Sequence, residues 1–199
     1  MCFIERLREL STQLAPQRDL ARASEQATKN ALVEPFIEFL GYDVCDLNVV
    51  RPEFGIEGGK VDYAILEDNA PIMLIECKPH GSDLDVHTSQ LQDYVRADDS
   101  ARFGILTDGG LYRFYSDLER QNGMDDELFL EFDMFDIQEP LAKELKRFTK
   151  CEFDLPSIIQ AAYRKKFRDI LIGELESTTA NSVIFLLSSL GIEVRYRVN

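Results

Sequence analysis

The chain has 199 residues, 45% apolar and 29% charged, enough for one domain with a true core and a modest extension. Its 22 basic residues against 36 acidic ones leave a net charge of −14, which opposes a polyanionic partner unless the basic residues are gathered locally. Cys2, Cys45, Cys77 and Cys151 are too scattered for a zinc ribbon or a disulfide scaffold, Met1–Arg6 is interrupted by charge too early for a signal peptide, and no apolar run approaches the roughly 18 residues of a membrane span, so a cytoplasmic protein is expected.

Residues 1–22 read as a short, polar, weakly helical arm stopped near Pro16, followed by a core over 23–139 and a helical C-terminal extension over 140–199. A helix is predicted over 24–40, with Leu32, Val33, Phe36, Ile37, Phe39 and Leu40 on one broad face, Pro35 bending it and Gly41 closing it. Strands are predicted over 43–50, 60–66, 72–78 and 103–108, and the second and third are joined by a hairpin over 67–71. The third is almost continuously apolar, the mark of a strand covered on both faces. A helix over 84–97 separates it from the fourth, giving a strand–helix–strand unit that should pair in parallel. Asp108-Gly109-Gly110 turns the chain into a short closing strand over 111–115. Between residues 117 and 139 nine acids meet one base, which reads as a solvated excursion. Helices are expected over 141–148, 155–176 and 182–190, the second bearing the basic cluster Arg164, Lys165, Lys166 and Arg168.

The chemistry sits where the apolar run Ile72-Met73-Leu74-Ile75 ends in Glu76-Cys77-Lys78. Strand alternation points Leu74, Glu76 and Lys78 one way and Ile75 and Cys77 the other, so a buried strand delivers a carboxylate and an ammonium together on one face. Such groups are costly to desolvate unless they pair or bind something. The hairpin brings Asp62 alongside. Hydrolysis of a phosphodiester with Mg²⁺, for which Mn²⁺ can substitute, needs hard oxygen ligands, a group that positions water, and positive charge for the pentacovalent transition state. Asp62, Glu76 and the backbone carbonyl of Cys77 offer the oxygens, and Lys78 offers the charge. The bland alternative is a salt-bridge knot at a strand end.

Asp62 followed by Glu76-x-Lys78, in a helix–hairpin–strand–helix context, resembles the PD-(D/E)-x-K nuclease superfamily. Gln90-Leu91-Gln92-Asp93-Tyr94 looks like the Q-x-x-x-Y motif of the restriction subunits of type I restriction enzymes. Asn30–Phe36, Lys60–Tyr63, Leu74–Lys78 and Phe103–Gly109 are similar to the N-terminal domain of those subunits, a likeness running from about Ala27 to Tyr115. The resemblance implies an α/β restriction-endonuclease-like core, a central mixed sheet flanked by helices. It also implies DNA cleavage in restriction of foreign DNA, with Asp62 and Glu76 as metal ligands and Lys78 as catalytic lysine. Gln90 and Tyr94 would contact the DNA backbone or support the site, and Glu34 would complete the acidic cluster. From the charge pattern alone, Arg51 and Lys60 surround the site as local positive charge for DNA. Val61 stands where the motif has Pro. Gly58-Gly59-Lys60-Val61 is no phosphate loop, because Phe54 replaces its first glycine and Val61 its Ser or Thr, so motor and specificity subunits would lie on other chains and a homodimer is a further option. The rival expectation is a nuclease fold that binds or docks a larger complex without cleaving. His80 and His87 read as exposed loop and helix-start residues, and Cys77 as core.

Overall fold

A computed structural model describes residues 2–98, 100–117 and 128–177. It divides into two compact units, Met1–Ile159 and Gln160–Asn199. The N-terminal segment is more than a polar arm. Helix α1, Phe3–Leu14, buries Leu7 and Leu14, sets the Phe3 ring 5.2 Å from Phe39 and lays the Arg6 guanidinium over that ring. A 3₁₀ turn at Ala15–Gln17 absorbs Pro16 and leads into α2, Arg18–Ala21.

The helix expected over 24–40 is continuous but not regular. It consists of α3, Glu25–Thr28, a π-helical turn, Lys29–Val33, and α4, Glu34–Phe39. Pro35 has no N–H to donate and its ring would crowd the Ala31 carbonyl in a regular helix, so the turn ahead of it widens rather than the axis simply bending. Gly41, at φ +95°, ends the helix: its N–H donates to Glu38 O and the Tyr42 N–H reaches back to Ile37 O, the Schellman arrangement.

The strand expected over 43–50 is instead a run of turns. The Asp43 carboxylate accepts the Cys45 N–H and the Asp46 carboxylate accepts the Asn48 N–H, which gives the backbone a local alternative to a ladder. The first strand, β1, is Val50–Ile56. It pairs with β2, Gly59–Glu67, which returns through the two left-handed residues Asp68 and Asn69 into β3, Ala70–Cys77. A 3₁₀ turn at Asp85–His87 and helix α5, Thr88–Ala97, carry the chain to β4, Phe103–Thr107, then β5, Leu111–Ser116, and β6, Leu128–Asp133. The sheet order is β1-β2-β3-β4-β5-β6, antiparallel throughout except for the parallel β3–β4 pair. The fold is α/β, with a mixed sheet flanked by helices.

Strand β6 corrects the reading of 117–139 as a solvated excursion. Leu130 and Phe132 are buried while Glu131 and Asp133 are exposed, so the two acids of β6 occupy the outer face of an edge strand. Residues 118–127 lie outside the described residues, as does the helix expected over 182–190. Helix α6, Glu139–Lys146, follows, and α7, Leu155–Ser177, carries the basic cluster, in which Arg164 donates to Gln160 and Arg168 pairs with Asp169.

The two covered faces of β3 explain its unbroken apolar run. On one side Val33 of the π-helical turn and Phe36 and Ile37 of α4 face Ile65, Met73, Ile75 and Tyr112, with the Phe36 and Tyr112 rings 4.0 Å apart. On the other, Leu91 and Val95 of α5 press onto Leu74 and Leu106. Gly104 makes that approach possible, since a Cβ there would stand 2.9 Å from Val95 Cγ2. Both layers grip the strand whose polar end carries Glu76 and Lys78.

Candidate metal and nucleic-acid site

Register builds the site. Tyr63 pairs with Ile75, so the next step outward sets Asp62 beside Glu76. Pro52 pairs with Tyr63 and Phe54 with Val61, which sets Glu53 beside Asp62 on its other flank. Three neighbouring strands thus present a row of carboxylates, Glu53, Asp62 and Glu76. Like charges directly opposite one another on a sheet repel. Two ammonium groups interleave with them. Lys29 Nζ, from the π-helical turn, lies 2.6 Å from Asp62 Oδ1 and 3.0 Å from Glu53 Oε1. Lys78 Nζ lies 2.7 Å from Glu76 Oε1 and donates to Gln90 Oε1 at 3.0 Å. The second Asp62 oxygen accepts the Cys77 N–H at 2.6 Å, which locks that carboxylate to the neighbouring strand. Gln90 Nε2 in turn donates to the Tyr94 hydroxyl at 3.0 Å, and the Tyr94 ring lies against Gly59. One continuous relay therefore runs Glu76, Lys78, Gln90, Tyr94, with the last two one helical turn apart on α5.

Electrostatics at this strand end are tense. Burial pushes the Glu76 carboxyl above its usual range, the Lys78 hydrogen bond pulls against that, and the negative charges of Asp62 and Glu25 add to the push. Burial alone would lower Lys29, but its hydrogen bonds to Asp62 and Glu53 outweigh this and hold the ammonium above the ordinary lysine range. Burial, with the Glu34 hydrogen bond, also raises the Tyr63 phenol. Cys77 is fully buried and burial raises its thiol well above the usual value, so its sulfur packs in the core as expected.

Not every expected residue converges. Glu34 gives its carboxylate to the Tyr63 hydroxyl at 2.8 Å, and Tyr63 points to the face of β2 opposite Asp62. The acid of that helix whose charge reaches Glu76 is Glu25, in the first turn of α3. Arg51 turns away, donating to Asn69 in the β2–β3 turn and to Leu47 O. Lys60 is exposed on β2, two residues from Asp62. His80 is buried rather than exposed, because its ring fills the space beside Gly110 and its polar atoms are all engaged. His87 is half-buried.

Lys29 and Glu53 are the residues that sequence reasoning missed. Lys29 had a signal: it falls three, four and seven positions before Leu32, Val33 and Phe36, so it is a charge on the apolar stripe of a helix. Glu53 had none once β1 was misplaced.

Among the described residues no three His, Cys, Asp or Glu side chains form a cage for a metal ion. The donor chemistry nevertheless fits Mg²⁺, which takes one or two carboxylates and keeps several waters. Asp62 and Glu76 are adjacent hard oxygen donors, and the upward push on Glu76 is the strain that added positive charge would relieve.

The fold is a mixed α/β sheet in which Glu76 and Lys78 stand at the end of β3 and Asp62 stands beside them on β2. Residues 47–123 are similar to the family model described as the type I restriction enzyme R protein N terminus. No curated protein matches the chain. Among solved structures the type IIG restriction endonuclease BpuSI is similar at 16% identity and a TM-score of 0.37, covering 87% of this chain. The chain spans 22% of the length of that structure. Among the described residues no helix is long and apolar enough to cross a membrane.

Proposed function

We propose that the chain is a metal-dependent DNA endonuclease domain that hydrolyses phosphodiester bonds in restriction of foreign DNA, in the cytoplasm. The observation that carries this reading is the placement of Asp62 and Glu76 on adjoining strands with Lys78 directly after the second, its Nζ 2.7 Å from Glu76. Asp62, Glu76 and the Cys77 carbonyl would hold Mg²⁺, which supplies Lewis-acid polarisation of the scissile phosphate. Lys78 orients the attacking water through its remaining N–H and offsets charge gathering on the phosphate oxygens. Gln90 fixes the Lys78 ammonium by accepting one of its protons, and Tyr94 fixes Gln90. Exposed Lys60 meets the DNA backbone beside them.

Plasmid DNA incubated with the purified protein and Mn²⁺ or Mg²⁺ tests the reading. Lys78→Ala and Asp62→Asn should each lose cleavage by about 10²-fold or more while retaining the native circular-dichroism spectrum. Equal cleavage by wild type and both variants would refute it.

One observation favours a second reading. The net charge of −14 suits a nuclease fold kept as a docking module for motor and specificity subunits on other chains. A protein that co-purifies with such subunits but never cuts DNA, whatever the divalent ion, would select it.

A further inference from the structure

The carboxylate row holds a cation already, and that cation belongs to the chain. Lys29 comes from the one widened turn of an otherwise regular helix, a form of irregularity found mostly where function requires it. Its ammonium is shared between two acids of unlike character. Asp62 is buried and locked to the Cys77 N–H, whereas the Glu53 side chain is 60% exposed. Glu53 itself sits at φ +49°, a left-handed conformation rare for a residue with a side chain, in the strand position facing Asp62. A lysine that merely neutralised Asp62 would need no second carboxylate in water. Lys78 offers the contrast, since its second partner is the neutral amide of Gln90.

We propose that Lys29 is a resident place-holder for the divalent cation: it keeps Asp62 and Glu53 apart in the empty protein and yields Asp62 on metal binding, keeping its bond to Glu53. This rests on the metal-dependent reading above. An ammonium 2.6 Å from Asp62 Oδ1 occupies the oxygen that a divalent ion needs, and the two cations repel if both remain. The four-carbon lysine stem is flexible enough to release one bond while keeping the other. Metal affinity is then set by competition with the chain's own charge, and Glu53 sets how easily Lys29 lets go.

Calorimetric titration of the full chain with MnCl₂ tests this without any cleavage assay. Lys29→Met should bind Mn²⁺ about tenfold or more tightly than wild type, because a unit positive charge leaves the pocket. Glu53→Gln should bind several-fold more weakly, because Lys29 is left with Asp62 as its one carboxylate. Asp62→Asn should not bind. Lys29→Met binding no better than a wild type that does bind would overturn the place-holder role and leave the metal reading standing. No binding in wild type or in Lys29→Met would overturn both. Should Lys29→Met fail to fold, the exposed Glu53→Gln decides alone: affinity unchanged or tighter overturns the proposal.

Discussion

Two buried polar clusters stand a residue apart where β3 ends, and they are built on opposite principles. Around His80 the partners serve turns and backbone, and the two charged ones, Asp108 with its carboxylate 3.3 Å from Nδ1 and Arg18, flank the ring. Thr28 Oγ1 accepts the His80 N–H and donates to Ala21 O. Asp108 accepts the N–H groups of Gly81, Gly110 and Leu111, and its backbone carbonyl faces His80 Nδ1 at 3.1 Å. Arg18 Nε donates to His80 Nε2 at 3.2 Å. Those groups are consumed in holding turns. Around Asp62 and Glu76, apart from the Cys77 N–H and the Gln90 amide, charge is tied to charge through side chains, and the Asp62 contacts end on exposed Glu53. A polar group bound to backbone is committed to the fold, whereas an ion bound to another ion can exchange its partner. That difference separates a structural knot from a candidate site more reliably than burial does, since both clusters are buried.

Asp108→Ala should produce the largest break in stability. Three turn N–H groups lose their acceptor at once, and donors left buried cost about 1–3 kcal/mol each, partly recovered by water. A loss of about 3 kcal/mol is expected in urea unfolding, with Mn²⁺ affinity unchanged where the variant is folded. A variant as stable as wild type but impaired in metal binding would reverse the assignment of the two clusters.

The site should respond in the opposite sense. Replacing a buried ion pair as a unit is often neutral or stabilising, whereas removing one member is costly. Glu76→Gln combined with Lys78→Met should therefore match or exceed wild-type stability by about 1 kcal/mol while abolishing cleavage. A large loss of stability in this double variant would mean that the pair serves the fold.

The contrast was only half legible in the sequence. The continuous run over Ile72–Ile75 marked β3, alternation put Glu76 and Lys78 on one face, and the hairpin brought Asp62 alongside, because period-2 geometry depends on local residues alone. The Gln90–Tyr94 spacing put both residues on one helix face, and the structure adds their mutual hydrogen bond. What failed was long-range or masked by composition. Asp43 and Asp46 captured their own backbone and displaced the first strand, which hid Glu53. The excess of acids concealed the alternation of Leu130 and Phe132. Glu34 looked closer to the site than it is because the widened turn at Lys29–Val33 rotates the residues after it. The same turn places Lys29, which no motif announced, on Asp62.

The smallest effect concerns pH. Burial holds the Glu76 carboxyl above the ordinary range, so its folded-state pKa exceeds its unfolded one. A group raised in this way contributes stability that is fully present below the unfolded value and is lost as pH rises through the folded one. In chelator, wild type should therefore lose stability relative to Glu76→Gln as pH climbs from about 4 toward neutrality, because only wild type ionises a buried acid there. Urea midpoints of the two proteins across that window give the difference directly. A slope of the opposite sign would mean that the Lys78 bond outweighs burial, and Glu76 would then be an acid already satisfied without a metal.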